Sequence, residues 1–195
     1  MNLAKPKETG LERMALRIKR ERAALVVVDI QEKLLPAIFE KERLVQNAVR
    51  LLKGAAILGV PAFATEQYPK GLGTTVPEIA GACKDFVALE KVSFSACGAT
   101  GFFETLTAKN LTHVILCGME THVCVLQTAL DLLENGYKVF VVVDAISSRT
   151  ANNHEIGLAR MHDAGGVMVS TEMVLFELLG KAGTTEFKQV LELMK

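Results

Sequence analysis

The chain has 195 residues, half of them hydrophobic, and a formal net charge of zero. This length and this apolar fraction predict one domain with a sizeable core. The balanced charge argues against a nucleic-acid-binding protein, which usually carries a basic face, and no apolar run is long enough to cross a membrane.

The four cysteines are Cys83, Cys97, Cys117 and Cys124. None belongs to a C-x-x-C pair, so their spacing argues against a zinc site or a thioredoxin-type redox pair. A chain of this length and apolar content does not need disulfides for stability, and its first residues do not resemble a secretory signal. We therefore expect free thiols in a reducing compartment, which favours a cytoplasmic protein.

Residues 1–22 are polar and charged, and basic side chains outnumber acidic ones among them. They predict a charged, solvated arm with a short helix, in front of a single domain over residues 23–195. A basic amphipathic start is also typical of mitochondrial leaders, although the glutamates and the lack of serine argue against one. A mitochondrial location stays open as the alternative.

The first predicted element is a strand at Ala23–Ile30, whose sequence AALVVVDI is continuously apolar up to Asp29. Continuous rather than alternating hydrophobicity predicts a strand buried on both faces, as in a parallel sheet. Apolar residues at three- and four-residue spacing then predict a helix over 41–59, and a second strand follows at 60–65.

Strands and helices continue to alternate along the rest of the chain. The middle part predicts a loop at 66–77, a strand at 86–89, a loop at 93–100, a helix at 101–110 and a strand at 112–117. The last part predicts a helix at 123–135, a strand at 139–143 ending in Asp144, a helix at 150–164, a strand at 167–170, and helices at 172–179 and 185–194. This alternation predicts a three-layer α/β/α fold around a six-stranded, mainly parallel sheet.

Three reactive side chains follow strands of this sheet, where ligands bind in open parallel sheets. They are Asp29 after the first strand, Lys91 after the third and Cys124 just past the fourth. A cysteine in the first turn of a helix, close to a lysine, is expected to have a lowered pKa and to be alkylated first. An aspartate within reach could take the thiol proton, and backbone N–H groups of the turn could hold an oxyanion. The set predicts cysteine-dependent acyl transfer.

Each of these residues also has a purely structural interpretation. Asp29 could cap a turn, Lys91 could be a solvated loop lysine, and Cys124 could be a small core residue, since free cysteines are often buried. Cys117 falls inside the predicted fourth strand, so we expect it to be packed in the core.

Three motifs resemble the isochorismatase-like cysteine hydrolases, which include nicotinamidase and N-carbamoylsarcosine amidase. They are VVVDIQ at 26–31, EKVSFSA at 90–96 and CGMETHVCVLQTALDLLENGYKV at 117–139, and the similarity spans about 23–179. The resemblance implies a Rossmann-like six-stranded sheet, a homo-oligomer (a dimer or larger), and a catalytic triad of Asp29, Lys91 and Cys124. It also implies a cis peptide bond between Met119 and Glu120, with the N–H groups of Glu120 and Cys124 as the oxyanion hole.

The sequence departs from the family pattern at positions that bear on the predicted metal content and activity. Metal-dependent nicotinamidases carry a D-x-H motif and further histidines after the second strand, whereas the segment ATEQYPKGLG at 64–73 has no histidine. We therefore expect no metal and no cofactor. True isochorismatases lack the cysteine. The TEQYPKGLG segment instead resembles the isochorismatase-domain-containing branch of the family.

The sequence thus predicts a hydrolase that cleaves an amide-like C–N bond of a small molecule through a thioester. Loop position makes six residues candidates for substrate binding: Gln31, Phe39, Gln67, Tyr68, Phe94 and Thr121. The alternative is a catalytically idle binding or scaffold protein on the same fold. A nuclease is less well supported, because no paired metal-binding carboxylates stand out.

Overall fold

A computed structural model describes residues 17–83 and 86–195, and the prediction made for the first part of the arm lies outside them. A single sheet of six strands, with the order β3-β2-β1-β4-β5-β6, forms the centre of the molecule. Each pair of neighbouring strands is parallel. The strands are β1 (Ala23–Val28), β2 (Ala62–Gln67), β3 (Ala88–Lys91), β4 (His113–Met119), β5 (Lys138–Ser147) and β6 (Val167–Val169). The predicted fold class is confirmed.

Helices connect the strands and cover the sheet. They are α1 (Lys41–Leu58), α2 (Pro69–Leu72), α3 (Pro77–Ala80), α4 (Phe102–Ala108), α5 (Leu126–Glu134), α6 (Ala151–Asp163), α7 (Thr171–Leu179) and α8 (Thr185–Met194). Helices α1, α7 and α8 pack together, and α5 packs against α6. Right-handed crossovers place these two groups on opposite faces of the sheet. In the described part of the chain, no helix has the length and apolar character needed to span a bilayer.

Strand β1 lies at the centre of the sheet and is buried along its whole length, as its uninterrupted apolar sequence predicts. The strand order reverses between β1 and β4, and ligands bind at such a reversal in open α/β sheets. Gly118 of β4 has a φ of 118°, and a Cβ atom there would lie 2.1 Å from the carbonyl oxygen of Val28. Only glycine allows this approach, which brings the turn after β4 close to the end of β1.

Several strands end later than predicted. The second strand continues to Gln67, so the predicted loop at 66–77 is partly strand and also contains α2. The third strand is Ala88–Lys91, two residues later than predicted, so Lys91 is its last residue and not a solvated loop lysine. The fifth strand continues to Ser147 through a register shift opposite β4. Asp144 therefore lies within a strand, where its carboxylate accepts hydrogen bonds from the N–H and hydroxyl of Thr171 at the start of α7.

The end of the predicted arm packs against the domain. The side chain of Ile18 is buried, and its N–H donates to the carboxylate of Glu177 in α7. Arg20 forms an ion pair with Glu186 of α8 at 2.7 Å. Residues 17–22 therefore belong to the folded body and are not a solvated arm.

Candidate active site

A buried ion pair joins the ends of β1 and β3. The ammonium of Lys91 lies 2.6 Å from Oδ2 of Asp29, and both side chains are fully buried. The hydroxyl of Thr65, in β2 between them, donates to Oδ1 of Asp29 at 2.7 Å. Both carboxylate oxygens therefore have a donor, as a buried carboxylate requires.

The ammonium of Lys91 has four acceptors within hydrogen-bonding distance. Besides Asp29 they are Oε1 of Gln67 at 2.8 Å and the carbonyl oxygens of Phe94 at 3.0 Å and Ser93 at 3.2 Å. An ammonium carries three protons, so these neighbours use all of its donor capacity. Lys91 is thus placed to hold the Asp29 carboxylate and has no N–H left for a substrate.

Cys124 completes the group of three residues that the motifs predicted. It lies in a π-helical turn, Thr121–Val125, that leads into α5, and its thiol is within hydrogen-bonding reach of the Asp29 carboxylate. The N–H of Glu120 also faces the sulfur. The structure therefore brings Asp29, Lys91 and Cys124 together at the reversal of the strand order.

The pKa of the Cys124 thiol is raised to about 12. Burial is the largest cause and the negative charge of Asp29 is the next, while Lys91 and the Glu120 N–H offset them only in part. The expectation of a lowered pKa is wrong, because it counted the helix terminus and the lysine but not the burial and the carboxylate. The resting site holds a protonated thiol beside a carboxylate that can accept its proton.

The backbone of the turn before Cys124 is held from two sides. The peptide bond between Met119 and Glu120 is cis, at the position that the family resemblance implies. The carbonyl of Glu120 accepts from the N–H groups of Val123 and Val125, each at 3.1 Å. On the other side, the hydroxyl of Thr128 donates to the carbonyl of Cys124 at 2.6 Å and accepts from the N–H of Ala96 at 2.8 Å. The turn is thereby tied to the loop that holds Lys91.

Two of the predicted substrate-binding residues, Gln31 and Gln67, use their side-chain amides in hydrogen bonds within the protein. The amide of Gln31 is buried, donates to the carbonyls of Gln67 and Gly73, and accepts from the N–H of Gln67. The side chain of Gln67 donates to the carbonyl of Val92 and accepts from Lys91. Their amides fasten the ends of β1, β2 and β3 to one another.

The other four candidates divide into one buried residue and three exposed ones. Thr121 is buried, and its hydroxyl is 2.9 Å from Nδ1 of His154. Phe39, Tyr68 and Phe94 are exposed, in loops that follow β1, β2 and β3. With the exposed Val92, which the sequence did not single out, they give this edge of the sheet an apolar rim.

The sequence also missed Thr65, His154 and Arg149. Thr65 could have been found, since it is the last residue of the predicted second strand and therefore lies at the same edge of the sheet as Asp29. Arg149 and His154 carry no local signal, because their contacts depend on how the loop after β5 returns to the turn. In residues 17–83 and 86–195, no group of three or more His, Cys, Asp or Glu side chains is arranged to hold a metal ion.

Comparison with known proteins identifies the family. The isochorismatase domain model matches residues 23–173. The chain belongs to the isochorismatase family. Its similarity to isochorismatase domain-containing protein 2A from Mus musculus is 40% identity over 92% of this chain and 85% of that protein, which confirms the predicted branch.

Solved isochorismatase-family structures have the same fold. One described as the MAR1 ribonuclease from Caenorhabditis elegans has 39% identity and a TM-score of 0.85, covering 91% of this chain and 92% of that one. YcaC from Escherichia coli, described as an octameric hydrolase of unknown specificity, has 25% identity and a TM-score of 0.85, covering 92% and 91%. YcaC from Pseudomonas aeruginosa, solved with covalent acrylamide, has 26% identity and a TM-score of 0.83, covering 91% of each chain.

Proposed function

We propose that the chain is a cysteine hydrolase that cleaves an amide-like C–N bond of a small molecule through a thioester on Cys124. The observation that carries this proposal is the thiol of Cys124 facing a carboxylate, Asp29, that Lys91 and Thr65 hold in place. A nucleophile, a base in reach of its proton and a third group that orients the base are the parts of covalent acyl transfer.

The first half of the reaction forms the thioester. Asp29 accepts the thiol proton while the sulfur of Cys124 attacks the carbonyl carbon, and the N–H groups of Glu120 and Cys124 receive the oxyanion. Because the pKa of the thiol is about 12, the proton moves to Asp29 as the sulfur attacks, and no stable thiolate comes first. The C–N bond then breaks, and the amine leaves with the proton from Asp29.

The second half regenerates the enzyme. Asp29 takes a proton from a water molecule, whose oxygen attacks the thioester carbon. The C–S bond breaks, the acid is released, and the proton on Asp29 returns to the sulfur of Cys124. Lys91 keeps one contact with the carboxylate throughout, since its other acceptors belong to the end of β2 and to the loop after β3.

The comparisons and the rim support a nucleophile in the site and a small, uncharged substrate. Acrylamide is an electrophile, so its covalent attachment in Pseudomonas aeruginosa YcaC indicates a nucleophile in that relative. The rim of Phe39, Tyr68, Val92 and Phe94 carries no charge. A small compound with an apolar part and one amide or ureido group fits these features.

Trapping the intermediate tests the proposal. Wild-type protein is mixed with a panel of small amides and ureido compounds, quenched in acid, and digested for mass spectrometry of the Cys124 peptide. An acyl group on Cys124 that forms and decays within the turnover time is expected. Cys117→Ala is the matched control and keeps the adduct, whereas Cys124→Ala loses both the adduct and the turnover. Full turnover by Cys124→Ala would overturn the proposal.

Two other functions are decided by the same variants. The name of the Caenorhabditis elegans relative suggests RNA as a substrate, so labelled RNA is included in the panel. RNA cleavage that survives Cys124→Ala would replace the thioester mechanism. A catalytically idle scaffold would instead give no turnover and no acyl group on Cys124.

We also propose that the chain forms a homo-oligomer. The octameric YcaC from Escherichia coli has the same fold and supports this assignment. Sedimentation equilibrium of the full chain is expected to give a dimer or a larger closed assembly, and a monomer across the micromolar range would contradict it.

A further inference from the structure

Three consecutive residues of the turn, Glu120, Thr121 and His122, are each bonded to the segment that follows β5. Oε2 of Glu120 accepts from the backbone N–H of Arg149 at 2.9 Å and from its Nε at 3.0 Å. The hydroxyl of Thr121 lies 2.9 Å from Nδ1 of His154. Nδ1 of His122 lies 3.0 Å from the hydroxyl of Ser148. Each residue after the cis peptide bond therefore has its own side-chain link to one segment.

Helix α6 lies directly on the backbone of this turn. A Cβ atom at Gly157 would come within 3.1 Å of Cα and N of His122 and of Cγ2 of Thr121. Such a contact is at the limit of normal van der Waals packing, so glycine permits the helix to approach without a side chain between. The turn is thus fixed both by hydrogen bonds and by close packing.

We propose that the segment 148–157, which we call the brace, positions the oxyanion-hole peptide, with Arg149 as its main positioning residue. This inference rests on the proposed function. Glu120 connects the two sites, because its N–H faces the sulfur of Cys124 while its carboxylate is held by Arg149. Donors in an active site must be held to within about 0.5 Å, so the link from Arg149 keeps this N–H in place.

The burial of the two partners agrees with this role. The side chain of Glu120 is only 12% exposed, whereas that of Arg149 is 62% exposed. Most of the Arg149 side chain is in solvent, so the ion pair adds little to the stability of the fold. Loss of Arg149 leaves a nearly buried carboxylate with one N–H donor in place of two. Glu120 is then expected to move toward water and to carry its peptide group with it.

Two reactions at Cys124 separate the oxyanion hole from the thiol. In acetylation by p-nitrophenyl acetate, the sulfur bonds to the acyl carbon through an oxyanion, p-nitrophenolate leaves, and the thiol proton passes to Asp29. In alkylation by iodoacetamide, the sulfur displaces iodide and no oxyanion forms. We expect Arg149→Gln to slow acetylation of Cys124 about tenfold and alkylation clearly less, by about threefold at most, because the Glu120 N–H acts on the thiol in both reactions but receives an oxyanion only in acetylation. Both rates are followed by mass spectrometry of the Cys124 peptide.

Arg160→Gln is the matched control, since Arg160 is an exposed arginine of α6 beyond the brace, and both of its rates are expected to equal those of the wild type. Equal slowing of both reactions by Arg149→Gln, or no change in either, overturns the inference. If wild-type Cys124 is not acetylated at all, the proposed function fails. Hydrogen exchange then tests separately whether the brace holds the turn in place. Faster exchange of the amides at 119–126 in Arg149→Gln supports it, and unchanged exchange overturns it.

Discussion

Cys117 and Cys124 lie in the same strand-turn-helix unit and have nearly the same exposure, but their surroundings differ. Both thiols are buried, and burial is the largest cause of a raised pKa in each. Cys117 lies inside β4, and the nearby charge of Asp144 raises its pKa further. Cys124 has in addition a lysine and a backbone N–H that act in the opposite direction.

The difference teaches that burial by itself makes a thiol inert, and that its neighbours decide whether it can react. A carboxylate beside Cys124 raises the pKa of the thiol, yet the same carboxylate can accept the proton during attack. No such exchange is open to Cys117, since Asp144 acts on it only through its charge, whereas the thiol of Cys124 is within hydrogen-bonding reach of Asp29. The low pKa expected from the helix terminus is therefore not what distinguishes the two cysteines.

The largest expected effect comes from exchanging the two cysteines for alanine. Cys124→Ala removes the nucleophile and is expected to lower turnover of a substrate from the amide panel by at least about 10⁴-fold. Cys117→Ala is expected to keep turnover within about threefold but to lower the free energy of unfolding by about 1–2 kcal/mol, because it leaves a small cavity in the core. Turnover assays and urea unfolding of both variants measure the two effects, and an inactive but folded Cys117→Ala would break the comparison.

The second prediction concerns Asp29, the carboxylate beside Cys124. Asp29→Asn removes the negative charge and leaves the buried ammonium of Lys91 without a counter-charge, which is expected to cost about 3 kcal/mol or more of stability. Asn is the suitable replacement, because Asp29 has a φ of 52°, a conformation that Asn tolerates. Turnover is expected to be lost as well, since the base is absent.

Glu186→Gln is the control for that variant, because it breaks the exposed ion pair with Arg20. Exposed pairs contribute little to stability, so a clear gap between the two variants is expected in urea unfolding. Equal losses in Asp29→Asn and Glu186→Gln would mean that the buried pair is not required for the site.

The sequence predicted the central part of the fold because that part depends on local patterns. The run AALVVVDI has no polar residue before Asp29, so it could only be a strand buried on both faces. Since the carboxyl ends of parallel strands share one edge, the strand pattern placed Asp29, Lys91 and Cys124 at that edge, and the family resemblance implied that they form a triad. The structure brings these three side chains together.

What the sequence missed depends on contacts between distant segments. The ends of β2, β3 and β5 are set by pairing with their neighbours, so the third strand was predicted to end at residue 89 although it continues to Lys91. The direction of the Cys124 pKa shift depends on how deeply the turn is buried, which no local pattern records. Arg149 reaches Glu120 only because β5 continues past its bulge, and the predicted strand ended before that point.

The third prediction sharpens the comparison through the pH dependence of alkylation. With a pKa of about 12, the Cys124 thiol is expected to react with iodoacetamide faster as the pH rises to 10, without a plateau near neutrality. The charge of Asp29 raises that pKa, so Asp29→Asn is expected to move the midpoint to lower pH, while Lys91 continues to favour the thiolate. Rates are followed on the Cys124 peptide, and a midpoint that moves upward in Asp29→Asn would contradict the assigned cause.

The smallest expected effect concerns His113 at the opposite end of β4, where burial also shifts a pKa. His113 is buried, and Nδ1 of its ring accepts the N–H of Lys19 at 2.9 Å. Burial lowers the pKa of His113, and the charges of Lys138, Lys19 and Arg22 lower it further, against a smaller opposing effect of Glu21. Burial thus disfavours the charged form of an imidazole as it does that of a thiol, with the opposite direction of shift.

A histidine with a lowered pKa in the folded state stabilises the protein above its unfolded pKa, and this contribution is lost as the pH falls. The free energy of unfolding is therefore expected to decrease between about pH 7.5 and pH 5.5, because the unfolded chain binds the proton more tightly. His113→Asn keeps an acceptor for the N–H of Lys19 but does not titrate, so its decrease is expected to be smaller. Urea unfolding at pH 7.5 and at pH 5.5 measures the decrease in each protein. His162→Asn, which removes an exposed histidine, is the matched control. The pKa of His154 is lowered too, and this residue is present in all three proteins, so it accounts for the decrease that remains in His113→Asn.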